Sequence, residues 1–164
     1  MRRLDDAAVE ADAGLRMLEG VESLGARDAE RMCARVRALI ASSQGESELA
    51  VEMAEKSLAI AESGVGPNHP ELLRELIFLS DAYETAGDLP GAIAPLERAL
   101  SLPLPDSQAN LVALTEVTLA RLIVDEDRPR AETLARAALE RMSEDGPGPE
   151  EIRADAAKVL GHTM

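Results

Sequence analysis

The chain has almost no aromatic residues, two histidines, one cysteine and a shortage of positive charge, and each scarcity removes a class of explanation. Phe78 and Tyr83 are its only aromatics, and there is no Trp. Strands favour aromatic and β-branched residues, whereas Ala and Leu are strong helix formers. The apolar residues here are mostly Ala and Leu, so the composition argues against sheets. Cys33 stands alone, which rules out an intrachain disulfide and fits a reducing compartment. His69 and His162 have no Cys, His or carboxylate at metal-ligand spacing, so a zinc site is not supported. With 17 Lys and Arg against 31 Asp and Glu, the formal charge is -14. That field repels nucleic acid and anionic membranes, whose phosphates need an excess of Lys and Arg. It favours a basic partner, or serves only to keep a soluble surface solvated.

Long hydrophobic runs are missing too. No stretch approaches the ~18 apolar residues of a membrane helix. The segment Met1-Arg2-Arg3-Leu4-Asp5-Asp6 turns acidic without an apolar core, unlike a secretory signal. The expected location is the cytoplasm. No Gly-rich phosphate loop, nucleophile elbow or calcium loop occurs, so neither an enzyme nor a cofactor is expected. Cys33 falls on an apolar helical face and reads as a small hydrophobe. Acid pairs such as Asp5-Asp6 and Glu150-Glu151 fall in first helical turns, where the positive end of the helix dipole accounts for them.

What is present is helical periodicity broken by regular punctuation. Gly and Pro cluster at 64–70, 87–91, 103–106, 127–129 and 146–149. The spacing predicts helices near 4–19, 26–43, 46–63, 69–86, 89–102, 107–125, 129–144 and 149–161. Pro70, Pro90, Pro129 and Pro149 sit at predicted starts, where the N–H that proline lacks would be unpaired anyway. Asp88 and Asp106 are expected N-caps, His69 a cap or loop residue, and Pro95 a kink or a widened first turn within a helix. Short connections imply antiparallel packing of neighbours.

The pattern also repeats. Leu79, Ser80, Tyr83, Gly87, Ala92, Leu96, Ala99 and Leu100 form one unit. Ala38, Gly45, Ala50, Ala54, Ser57 and Leu58 match it upstream at a spacing of 42. Leu119, Ala120, Ala131, Ala135, Ala138 and Leu139 match it downstream, with Asp127 where Gly is expected. Ala7, Ala11, Gly14 and Leu15 look like the second helix of a truncated repeat. Small residues at these places let two helices approach closely.

This unit resembles the tetratricopeptide repeat. The spacing of 42, with Gly66-Pro67-Asn68-His69-Pro70-Glu71 ahead of a first helix, is similar to the long subtype of kinesin light chains and many bacterial signalling proteins. Ile93-Ala94-Pro95-Leu96-Glu97-Arg98-Ala99-Leu100 also resembles repeats that follow bacterial serine/threonine kinase domains. The resemblance implies an all-α, right-handed α-α superhelix of about eight antiparallel helices in one domain, 1–164. It would contain a truncated repeat at 1–25, repeats at about 26–63, 69–104 and 107–144, and a capping helix at 149–161.

The implied function is non-catalytic binding of another protein or peptide in a groove lined by the first helix of each pair. On this chain the groove positions are Met32, Arg35 and Leu39, then Arg74, Ile77, Phe78, Asp81, Glu84 and Thr85. A third set is Leu114, Val117, Thr118, Arg121 and Val124. Arg suits bidentate grip of a carboxylate, and Phe78 suits an anchor. The competing reading is that the apolar residues pack between repeats and the arginines pair with nearby acids. Other expectations are a self-associating scaffold, forming a homo-oligomer, or a regulatory segment of a kinase-type signalling system. The chaperone-tail clamp of some relatives, built on Lys and Asn, is not supported, since Arg35, Leu39, Phe78, Leu114 and Thr118 occupy those positions.

Overall fold

A computed structural model describes residues 2–21, 23–142 and 149–161. Among them are eight α-helices and no strand. They are α1 (Arg2–Leu18), α2 (Leu24–Gln44), α3 (Ser47–Val65) and α4 (Leu73–Thr85). Then follow α5 (Leu89–Leu100), α6 (Ala109–Ile123), α7 (Arg128–Arg141) and α8 (Pro149–Val159). One-turn 3-10 helices, Pro70–Leu72 and Asp106–Gln108, lead into α4 and α6. The eight expected helices are all present. The Gly146-Pro147-Gly148 connection and His162 lie outside the described residues.

Local chemistry explains the boundaries. Pro70, Pro90, Pro129 and Pro149 all occupy first turns. The Gly91 N–H donates to Asp88 at 2.9 Å, and the Arg130 N–H to Asp127 at 3.1 Å, so both acids cap helices. The His69 ring accepts from the Glu71 N–H at 3.3 Å, as a cap. Ser23 caps α2 by accepting from Ala26 at 3.1 Å, a cap the sequence reading missed. The expectation for Asp106 is corrected. It opens the 3-10 turn instead of capping α6, because that turn starts one residue after Pro105, whose φ is confined. α5 runs through Pro95 without ending.

Two compact units make up the chain, residues 1–92 and 93–164. In the first, α1 packs on α2, α2 on α3, α3 on α4, and α2 also meets α4. In the second, α6, α7 and α8 pack on one another.

The repeated positions are occupied alike in each repeat. Gly45 and Gly87, 42 residues apart, have φ of 77° and 78°, a left-handed turn that suits glycine. Ala50, Ala54 and Ser57 of α3 are fully buried, as are Ala92, Leu96 and Ala99 of α5 and Ala131, Ala135 and Ala138 of α7. The small Ser80 is also fully buried, and its hydroxyl donates to the Ala92 carbonyl at 2.8 Å. Gly14 of α1 holds the same place as Ser57, and a Cβ there would lie 2.7 Å from the Cys33 sulfur. Cys33 is accordingly half-buried in the α1–α2 contact.

Candidate functional site

In the first unit, α2 and α4 each turn one face outward. On α2 this face carries Met32, Arg35, Val36 and Leu39, spaced at three and four residues. Met32 is 51% exposed and Leu39 57%. On α4 it carries Arg74, Ile77, Phe78, Asp81 and Glu84. Arg74 and Asp81 are exposed, and Ile77, Phe78 and Glu84 half-buried. The two faces join where the Arg35 guanidinium lies 4.6 Å from the centroid of the Phe78 ring, a cation–π contact.

Arg35 has a second tie, to Glu75. Glu75 is only 3% exposed, so its charge must be met inside the protein. Arg35 donates to one of its oxygens at 3.0 Å and Arg31 to the same oxygen at 2.7 Å. The Ser57 hydroxyl donates to the other at 2.9 Å. One carboxylate thus fastens α2, α3 and α4 together. The sequence reading passed over Glu75, although an acid among Leu72, Leu73, Leu76 and Leu79 on a buried face was its signal.

Tyr83, at the aromatic position of the repeat, fastens α4 to α3 in another way. Its hydroxyl donates to Glu55 at 2.6 Å. This bond, aided by burial and by the charges of Glu55 and Asp88, pushes the phenol up to about 12. A Cβ on Gly91 would fall 2.6 Å from the Tyr83 ring, so the ring depends on glycine there.

At one end of the α2–α4 face is a pocket of about 420 Å³. Arg27 and Arg31 of α2 and Arg74 of α4 line it, with Ile60 and Val65 of α3 supplying an apolar wall.

The second unit places Val117 and Arg121 on α6. Val117 is 1% exposed, which corrects its expected place on an open groove: a side chain so covered presents nothing to a ligand. Arg121 Nε lies 3.9 Å from Asp155 of α8, which packs on α6. Nearby, Glu116, 6% exposed, receives two hydrogen bonds from Arg141, at 3.1 and 2.9 Å. The carboxylate raises the hold of Arg141 on its proton. Among the described residues no cluster of His, Cys, Asp and Glu could hold a metal ion. None of their helices is long and apolar enough to cross a membrane.

Residues 28–103 match the tetratricopeptide repeat. The match covers α2 to α5, the two helix pairs whose small residues and glycine turns agree position by position, and it supports a tetratricopeptide family. The described residues are all-α, and the matched stretch is a helical repeat. No curated protein matches it. Tetratricopeptide repeats generally mediate protein–protein interaction and are not catalytic.

Proposed function

We propose that the chain is a protein-binding module whose α2–α4 face in the first unit receives a peptide or helix of a partner protein. The observation that carries this reading is the Arg35–Phe78 contact, which makes one surface of two helix faces. Leu39 and Met32 offer apolar area beside it, and Arg74 offers charge. Such a face suits an amphipathic segment whose apolar anchors recur at three and four residues. Arg35 acts here as a positioned platform and not as a swinging arm, because Glu75 holds it.

The matched glycine turns at a spacing of 42 support the long-repeat form of the family. A regulatory role in kinase-type signalling rests on the sequence resemblance, and a cytoplasmic location on the lone Cys33 and the lack of long apolar runs. A second copy of the chain is the competing occupant, favoured by the exposure of Met32 and Leu39.

The test is affinity capture from lysate with wild type beside a Leu39→Ala, Arg74→Ala, Ile77→Ala variant, together with the molar mass of the pure chain in solution. Heterologous proteins bound by wild type and lost by the variant are expected. An identical bound set would refute the face. A dimeric mass that becomes monomeric in the variant would transfer the face to self-association.

A further inference from the structure

The pocket at the end of the α2–α4 face inverts the sign of the molecule. The chain carries -14 overall, yet four arginines, Arg27, Arg31, Arg35 and Arg74, line this one cavity. They are not equivalent. Arg31 and Arg35 are occupied by Glu75, and Arg31 also lies 3.6 Å from Asp28. Arg27 and Arg74 are exposed, and among the described residues the side chain of neither has an ion pair or hydrogen bond. Each lies near the start of its helix, α2 or α4, where a cation gains nothing from the helix dipole. Three carboxylates share the lining, Asp28, Glu71 and Glu75, so four arginines leave it a formal +1; of the three, Glu71 has no side-chain partner. The wall beside the arginines is apolar: Ile60, Ala61, Val65 and Leu72.

We propose that this pocket takes an acidic segment of a partner protein, with a carboxylate gripped between Arg27 and Arg74 and an adjacent aliphatic side chain against Ile60 and Val65. The proposal rests on the peptide-binding reading above and supplies the partner's chemistry. Charge complementarity selects the occupant. Two guanidiniums free to donate forked hydrogen bonds match carboxylates in a way that amide or hydroxyl groups do not. The cavity, about 420 Å³, has the size of an ordinary ligand site and holds one or two side chains, not a whole helix. Arg31 and Arg35, pinned by Glu75, give a fixed positive floor. The same segment can continue along α2 and α4 toward Leu39 and Ile77.

The experiment titrates the full chain with a capped octapeptide of glutamates flanking one leucine. The readouts are fluorescence anisotropy and the side-chain N–H signals of the arginines. The counterpart with glutamine for glutamate, and inorganic phosphate alone, are run beside it. The Arg27 and Arg74 signals are expected to move, and the glutamine peptide to bind about tenfold or more weakly. Arg27→Gln with Arg74→Gln is expected to weaken the acidic peptide to the same degree, with helix content unchanged, since neither side chain ties the fold. Glu71→Gln is expected to strengthen it. No binding at millimolar peptide, equal binding of both peptides, or phosphate binding as tightly as the peptide would each overturn the proposal. Binding lost in the Leu39, Arg74 and Ile77 variant but kept in the double Gln variant would also overturn it, leaving the face intact. Binding lost with Arg27→Gln but kept with Leu39→Ala and Ile77→Ala would uphold the pocket and remove the rest of the face. Binding kept in every variant would refute both.

Discussion

Glu75 and Tyr83 do different work with similar geometry. Glu75 is a buried charge, with Arg31, Arg35 and Ser57 on its two oxygens. Removing one partner of a buried pair strands the others. The arginine side chains keep 27% and 28% of their exposure, so solvent rescues part of their charge. Glu75→Ala is expected to cost about 3 kcal/mol, the low end of the range for such a break, as read by urea denaturation. Tyr83 is a neutral donor whose proton the Glu55 carboxylate holds. Its folded pKa, about 12, lies above the ordinary value near 10. The stability from this bond is therefore complete below pH 10 and is lost as pH rises through 12. Tyr83 is the only tyrosine and there is no Trp, so phenolate absorbance reports it alone. A midpoint near 12 is expected, falling toward the ordinary value in Glu55→Gln.

Helix pairing here depends on small residues as much as on large ones. Ala92 of α5 and Ala135 of α7 are both fully buried at repeat positions, Ala135 in the place that Leu96 takes in α5. Ser80 approaches close enough to donate to the carbonyl of Ala92. A larger side chain has no room. Ala92→Phe and Ala135→Phe are each expected to lose about 1–3 kcal/mol in thermal or urea unfolding, by overpacking. These positions were legible from the spacing alone, because close contact leaves a small residue at every third or fourth place. Gly91 was not. Its role depends on a ring from another helix lying on it, and no periodicity carries that.

Across the whole molecule, charge sets how a partner arrives. A chain of -14 repels an acidic segment at long range, while Arg27 and Arg74 attract it at contact. Salt weakens the long-range term first. The Debye length falls from ~30 Å at 0.01 M to ~8 Å at 0.15 M. The association rate constant of the acidic octapeptide is therefore expected to rise over that interval in stopped-flow mixing. A fall would mean that the local field of the pocket governs approach as well as grip. A basic partner, which the net charge favours, would show the opposite trend.

Amino-acid order by itself determined the helices, most of their starts and the repeat. Each of these is written in local terms: prolines in first turns, glycine after a helix, and small residues at fixed spacing. It also gave the spacing that puts Met32, Arg35 and Leu39 of α2, and Arg74, Ile77, Phe78 and Asp81 of α4, each on one side of a helix, because helical periodicity is local. Only tertiary structure decided which of those positions are available. Arg35 is held by Glu75, Arg121 reaches toward Asp155, and Val117 is covered, while Arg74 stands free. It also brought Arg27 to the same cavity as Arg74, from a different helix. Pairing and burial depend on which helix lies across from which, and that is settled by packing between segments distant in the chain.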